Sequence, residues 1–331
     1  MTGSPGRPRP VRDAMRRRMM ARAGLVLPDL PLQSIAVNGE PRTFSVVPGS
    51  GPDAPLLLAL HGAGGTGLGM AALTGLAQRG PAAGCAVAFP DGFMHVWNDR
   101  RGAPRLARRE RIDDVAFMQV LVEHLRQTGV NDGTRVYAVG ISNGGFLAEH
   151  LARNGLLDLA GVVLVASSAT VSSRQARPVP APVHVTRFLA FHGTADPLVP
   201  YGGGLIGPLG RLVERRADGN PTLAGRGMTA PIEDVAADWC PPPPDGSRAV
   251  PHTAPVAGPP GDIRVEWLSW AAPDGSGVPA ELYRIVGGGH TWPGGAQYLP
   301  ARFVGRVAAH LDATGILLDF ATRASGRPGA Q

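Results

Sequence analysis

Five short apolar runs punctuate the chain: Leu56–Leu60, Ala86–Phe89, Arg135–Val139 (apolar from Val136), Gly161–Val165 and Phe188–Phe191. Runs this short, without polar alternation, read as strands buried on both faces. The segments between them carry a different period. Val115, Met118, Leu121, Val122 and Leu125 recur at spacings of three and four, which predicts a helix capped by Asp113 or Asp114 and stopped at Thr128-Gly129. Further helices are expected at Met70–Gln78, more weakly, and at Asn143–Arg153. Buried strands alternating with helices predict a mostly parallel sheet covered on both sides, an α/β fold. Ahead of it, Ser34–Val37 and Thr43–Val47 flank Asn38-Gly39, a hairpin signal.

Residues 201–262 break this rhythm with glycine and proline, including Pro241–Pro244, and only Ile232–Trp239 looks helical there. The stretch reads equally as a surface insertion or as a lid or substrate wall. Strand patterns resume at Arg264–Trp270 and Glu281–Val286, an antiparallel-looking pair joined by Asp274-Gly275-Ser276-Gly277. Helices are expected at Ala301–Leu311 and Ala313–Thr322. The organisation is therefore a flexible arm over 1–30, one domain over 31–323 and a disordered tail over 324–331.

Charge changes this picture little. The 331 residues carry a formal +6, and all 32 basic residues are arginine. Seven of them (Arg7, Arg9, Arg12, Arg16, Arg17, Arg18 and Arg22) lie in the first 22 residues against one acid, Asp13, so the arm holds the whole net charge. A neutral body argues against a nucleic-acid partner, which calls for a basic face on the folded part. An apolar content of 44% supplies a full core. No apolar run is long enough to span a membrane. A secretory signal needs about 7–15 apolar residues, and Ala23–Leu27 falls short, so the sequence reads as cytoplasmic. Cys85 and Cys240 make no disulfide framework; Cys85 reads as a small core residue, and their pairing is left open. Neither has a neighbour at metal-ligand spacing, so no metal is expected.

The chemistry lies at the ends of the strands. Gly140-Ile141-Ser142-Asn143-Gly144 is a G-x-S-x-G pentapeptide between a buried strand and a helix, the setting of a nucleophile elbow. A serine hydroxyl needs a base, and the base needs an acid to orient it. Asp196 follows the strand Phe188–Phe191, and His290 stands in Gly287-Gly288-Gly289-His290 after Glu281–Val286. The order Ser, Asp, His is that of α/β-hydrolases. His192 reads as support for the acid loop; His124, His150, His252 and His310 do not lie in a glycine-rich strand-end loop. Backbone N–H groups of Asn143 and Ala63 are the candidate oxyanion donors. Trp97, Tyr201 and Trp292 are candidate walls of a substrate cleft, with ordinary packing an equal alternative for each.

These blocks resemble the polyhydroxybutyrate depolymerase-like esterases, which are related to feruloyl and acetylxylan esterases. The resemblance rests on Leu60-His61-Gly62, Phe89–Gly92, Trp97-Asn98, Asp113–Phe117, Gly140–Gly145, His192–Tyr201, Trp239-Cys240 and Gly289–Gly295. It implies a single α/β-hydrolase domain and ester hydrolysis by a Ser-His-Asp triad, without metal or organic cofactor. The substrate would be a hydroxyalkanoate oligomer or small acyl ester; a feruloyl or acetyl ester on carbohydrate is the alternative. A peptidase of the same fold and a non-enzymatic binding protein on a hydrolase scaffold are the more distant readings. Ala63 stands where many members carry a cysteine, so a disulfide anchored there is not expected. Many members are secreted.

Overall fold

The computed structural model describes residues 21–323 apart from 22, 100–111, 172–173, 175–186, 208–227 and the single positions 257, 260, 262 and 276. The expected tail over 324–331 and most of the arm lie outside the described residues. The strands are β1 (Gln33–Val37), β2 (Glu40–Val47), β3 (Leu56–Leu60), β4 (Ala86–Pro90), β5 (Val136–Ile141), β6 (Gly161–Val165), β7 (Arg187–Gly193), β8 (Gly204–Leu205), β9 (Met228–Thr229), β10 (His252–Val256), β11 (Arg264–Trp270) and β12 (Ala280–Val286). The helices are α1 (Gly67–Thr74), α2 (Leu76–Ala82), α3 (Asp114–Gln127), α4 (Asn143–Arg153), α5 (Ile232–Ala237), α6 (Ala301–Val304) and α7 (Ala313–Thr322).

Ten strands form one sheet in the order β1-β2-β4-β3-β5-β6-β7-β12-β11-β10. The six from β4 to β12 run parallel. Antiparallel strands extend both edges. Side-chain alternation along a strand divides the core. Leu56, Leu58 and Leu60 point into one layer with Phe117, Leu121, Leu147, Leu151 and Ile232, the inner faces of α3, α4 and α5. Leu57 and Ala59 point into the other, with Met70, Leu76, Leu317 and Phe320 of α1, α2 and α7. Strands covered on both sides need apolar residues at every position, so β3 and β6 read as unbroken runs.

Local chemistry explains the boundaries. Asn38 and Gly39 turn the β1–β2 hairpin with φ of 52° and 82°. The Asp113 carboxylate caps α3 by accepting from Ala116 N at 2.9 Å. The helix expected over Met70–Gln78 is instead two, broken at Gly75, whose φ of 67° no continuous right-handed helix admits. The helix expected over Ala301–Leu311 stops at Val304, because Gly305 leaves helical geometry at φ 76° and the chain turns to bridge Gly288 through Arg306.

The proline-rich stretch after 201 is partly core. Helix α5 buries Ile232, Val235 and Ala236, and Trp239 stacks on Phe188 with ring centroids 5.7 Å apart. The edge strand β10 carries no clear apolar alternation, and sequence reading missed it. Both cysteines are buried and unpaired, and burial pushes the Cys85 thiol up to about 11. No described helix is long and apolar enough to cross a membrane.

Candidate active site

The parallel strands deliver their functional loops to one edge of the sheet, the carboxyl ends. Strand β5 ends at Ile141, and α4 begins at Asn143. Ser142 lies between them at φ 54° and ψ −120°, a strained conformation for a residue with a side chain. Such a position costs about 1–3 kcal/mol and needs a surrounding that enforces it. Here the elbow is pressed onto its neighbours. A Cβ on Gly140 would collide with the Gly144 carbonyl, and one on Gly144 with the carbonyls of Leu60 and His61. Glycine at both positions lets backbone meet backbone, which forces Ser142 outward.

Asp196 and His290 arrive on adjacent parallel strands, β7 and β12, paired through Gly193 and Ile285. Their loops are stitched together by Ala195 N donating to Gly288 O at 2.9 Å and Gly287 N to Thr194 Oγ1 at 3.0 Å. His290 Nδ1 lies 2.8 Å from Asp196 Oδ2. The other carboxylate oxygen accepts from Leu198 N and Val199 N at 2.8 and 2.9 Å. Burial by itself would raise Asp196, but His290, His192 and the Val199 N–H together hold it below the usual carboxylate range. A carboxylate can only accept, so His290 Nδ1 is the donor and Nε2 is left as the basic nitrogen.

The segment around α6, residues 298–306, straps the histidine loop. His290 N donates to Val304 O at 2.5 Å, Gly289 N to Arg306 O at 2.9 Å, and Tyr298 Oη to His290 O at 2.9 Å. Gly289 and Gly305 cross so closely that a Cβ on Gly305 would sit 2.5 Å from the Gly289 Cα. His192 is buried beside the acid, its Nε2 3.6 Å from Asp196 Oδ2 and 2.9 Å from Val199 O, and burial lowers its pKa. It supports the acid loop, as its place in the turn suggests.

Ser142 and His290 face one cavity of about 310 Å³. Its floor is the loop Gly62–Gly65, and its sides are aliphatic: Leu25, Met70, Leu73, Leu198, Leu299 and Val304. No Asp, Glu or Arg among the described residues lines it. Ala63 lies in the floor, and Asn143 is the first residue of α4, so both candidate oxyanion donors flank the serine. A Cβ on Gly62 would approach the Ser142 Cβ to 3.5 Å, so the loop passes directly over the nucleophile position.

The three candidate wall aromatics lie elsewhere. Trp97 is fully buried and donates from Nε1 to His61 O at 2.8 Å. Trp292 is 1% exposed and donates to Thr314 Oγ1 at 3.0 Å, fixing the histidine loop to α7. Tyr201 donates to Glu233 Oε1 at 2.6 Å and packs edge-on against His192. Each makes an internal hydrogen bond, and none is among the residues that line the cavity of Ser142 and His290. Nor does any described residue of 202–262 line the cavity. Sequence reading instead missed Leu25, Tyr298, Leu299 and Val304. The first comes from the supposed arm, Tyr298 and Leu299 lie in a loop without a motif, and Val304 ends the short helix α6. Among the described residues, no group of three His, Cys, Asp or Glu side chains could hold a metal ion.

A parallel sheet in this strand order, with a serine at the β5–α4 elbow and an Asp–His pair on the next loops, defines an α/β-hydrolase. No family model matches the chain. Over 295 residues it is 32% identical to NocK of Nocardia uniformis subsp. tsuyamanensis, which is named as an esterase; the match covers 87% of this chain and 81% of that protein. The chain belongs to the α/β-hydrolase family of esterases that includes NocK. Among solved structures it is similar to an acetyl xylan esterase from Aspergillus awamori, with TM-score 0.48 and 15% identity over 79% of this chain and 94% of that one. It is also similar to a thermostable esterase, with TM-score 0.40 and 19% identity over 53% of this chain and 49% of the other.

Proposed function

We propose that this protein is a serine esterase in which Ser142 attacks the ester carbonyl, His290 accepts its proton and Asp196 orients the imidazole. The observation that carries this reading is the strained, outward-facing Ser142 on the same cavity as a histidine whose Nδ1 is held 2.8 Å from Asp196. In the first step the Ser142 Oγ bonds to the carbonyl carbon, and the Oγ proton moves to His290 Nε2. The N–H groups of Asn143 and Ala63 stabilise the oxyanion. Collapse expels the alcohol, which takes the proton from His290. Water then attacks the acyl-enzyme with His290 again as base, and the carboxylic acid leaves.

The largely aliphatic cavity, lined by no carboxylate or guanidinium among the described residues, suits an uncharged acyl chain. A hydroxyalkanoate oligomer or a small acyl ester fits this description, in line with the depolymerase-like resemblance. Replacing Ser142 with alanine is expected to abolish hydrolysis of a short p-nitrophenyl ester and labelling by a fluorophosphonate, with the circular dichroism spectrum unchanged. Undiminished turnover in that variant would overturn the assignment. Comparing 3-hydroxybutyrate oligomers, methyl ferulate and acetylated xylan reads the substrate class; preference for either of the last two would move the enzyme to carbohydrate-linked esters.

A further inference from the structure

The two candidate oxyanion donors sit on different elements. Asn143 opens α4, whereas Ala63 belongs to the loop after β3. Their N–H groups stabilise a developing charge only if the two elements hold a fixed relation, since such donors work by preorganisation. The structure contains a specific connection between them, and it runs through the Asn143 side chain.

The Asn143 carboxamide is 4% exposed and fully engaged with one strip of chain. Its Oδ1 accepts from Trp97 N at 2.8 Å, while Nδ2 donates to Trp97 O at 3.1 Å and to Asp99 Oδ2 at 2.6 Å. Trp97 in turn donates from Nε1 to His61 O at 2.8 Å, with its ring 4.8 Å from the His61 ring. The same strip supports the rest of the loop. Gly92 N donates to His61 Nε2 at 2.9 Å, and Gly64 N donates to His95 O at 2.7 Å. Asn98 N is anchored on Asp114 Oδ2 at 2.7 Å, so the strip is fixed from behind by α3.

We infer that the Asn143 side chain and Trp97 are positioning residues that lock the Ala63 N–H to the nucleophile elbow, so that the two oxyanion donors act as one preorganised pair. This inference rests on the serine esterase reading. It gives Asn143 two separable duties: its backbone N–H meets the oxyanion, and its carboxamide places the other donor. The chemistry demands an amide. Asn143 must accept from a backbone N–H and donate to both a carbonyl and a carboxylate; aspartate cannot donate, and alanine can do neither.

The experiment compares wild type with Trp97→Phe, Asn143→Asp and Asn143→Ala, on p-nitrophenyl butyrate and on a trifluoromethyl ketone, whose adduct with serine carries the oxyanion. Trp97→Phe keeps the ring but loses the bond to His61 O. It should lower kcat about tenfold with KM within about twofold, because a misplaced donor is felt only when charge develops. Affinity for the ketone should fall by a similar factor. Asn143→Asp should lose at least as much as Trp97→Phe, since it sets a carboxylate against Asp99. A merely structural role predicts a lowered melting temperature with kcat per titrated site and ketone affinity unchanged, and that result overturns the proposal. If Asn143→Ala does not fold, Trp97→Phe still decides. Failure of the esterase reading is separate: wild type would then neither hydrolyse the ester nor be labelled by a fluorophosphonate.

Discussion

A carboxyl group only 1% exposed would ordinarily hold its proton, yet Asp196 sits below the usual carboxylate range. Burial opposes this, and His290, His192 and the Val199 N–H overcome it. A depressed carboxylate stabilises the fold at every pH above its unfolded value, here 3.8, and that contribution fades as pH falls through the folded value. Unfolding measured from pH 6 downward should therefore show stability dropping below about pH 4, with a shallower acid slope in Asp196→Asn. At neutral pH the same variant should lose about 10³- to 10⁴-fold in kcat, because an amide can donate to Nδ1 and select the wrong tautomer. Equal acid slopes for the two proteins would show that Asp196 binds its proton equally in the native and unfolded states, and so is not depressed by the fold.

Helix α4 does two jobs at opposite ends. Its first residue is a candidate oxyanion donor, and its last, Arg153, is fully buried. Arg153 pairs with Glu149 one turn earlier, and its Nη2 lies 3.3 Å from Asp238, just beyond α5. The elbow helix is thereby tied to the segment that the sequence presents as an insertion. Arg174 also binds Asp238, at 2.6 Å, extending the network. Removing one partner of a buried pair leaves an uncompensated charge and costs about 3–5 kcal/mol, whereas replacing both by apolar residues is often neutral. Arg153→Leu should lose that much in urea unfolding, and Glu149→Leu/Arg153→Met should recover most of it. Turnover per folded molecule should be unchanged in both, since Glu149 and Arg153 lie about 10 and 16 Å along the helix from Ser142.

At the scale of the molecule, the N-terminal segment reaches the candidate site. Leu30 packs on the core, and Leu25 lines the cavity that Ser142 and His290 face. In the sequence, Leu25 follows the last arginine of the basic stretch, Arg22, by three residues. Leu25→Ala should widen the cavity and shift preference toward longer acyl chains, by about tenfold in relative kcat/KM for two extra methylenes. Leu25→Trp should shift it toward acetate. A p-nitrophenyl series from acetate to octanoate measures both; a parallel change at every length would mean that Leu25 does not meet the acyl chain.

The sequence by itself determined whatever is written in local residues. Unbroken apolar runs gave β3, β4 and β6 nearly to the residue, the Asp113-Asp114 pair marked the start of α3, and glycines around Ser142 marked the elbow. Sequence order also pointed to Asp196 and His290, because parallel strands release their loops at a common edge. It could not place Trp97, Tyr201 and Trp292, since an aromatic side chain serves a core and a cleft through the same apolar surface. Nor could it foresee that Ala301–Leu311 would unwind after one turn, because crossing Gly289 at Gly305 is a contact between residues 16 apart that helical periodicity does not encode. The edge strand β10, the Leu25 wall and the bond from Trp97 to His61 are likewise decided by non-local packing and hydrogen bonding, which exist only once the sheet has brought its loops together.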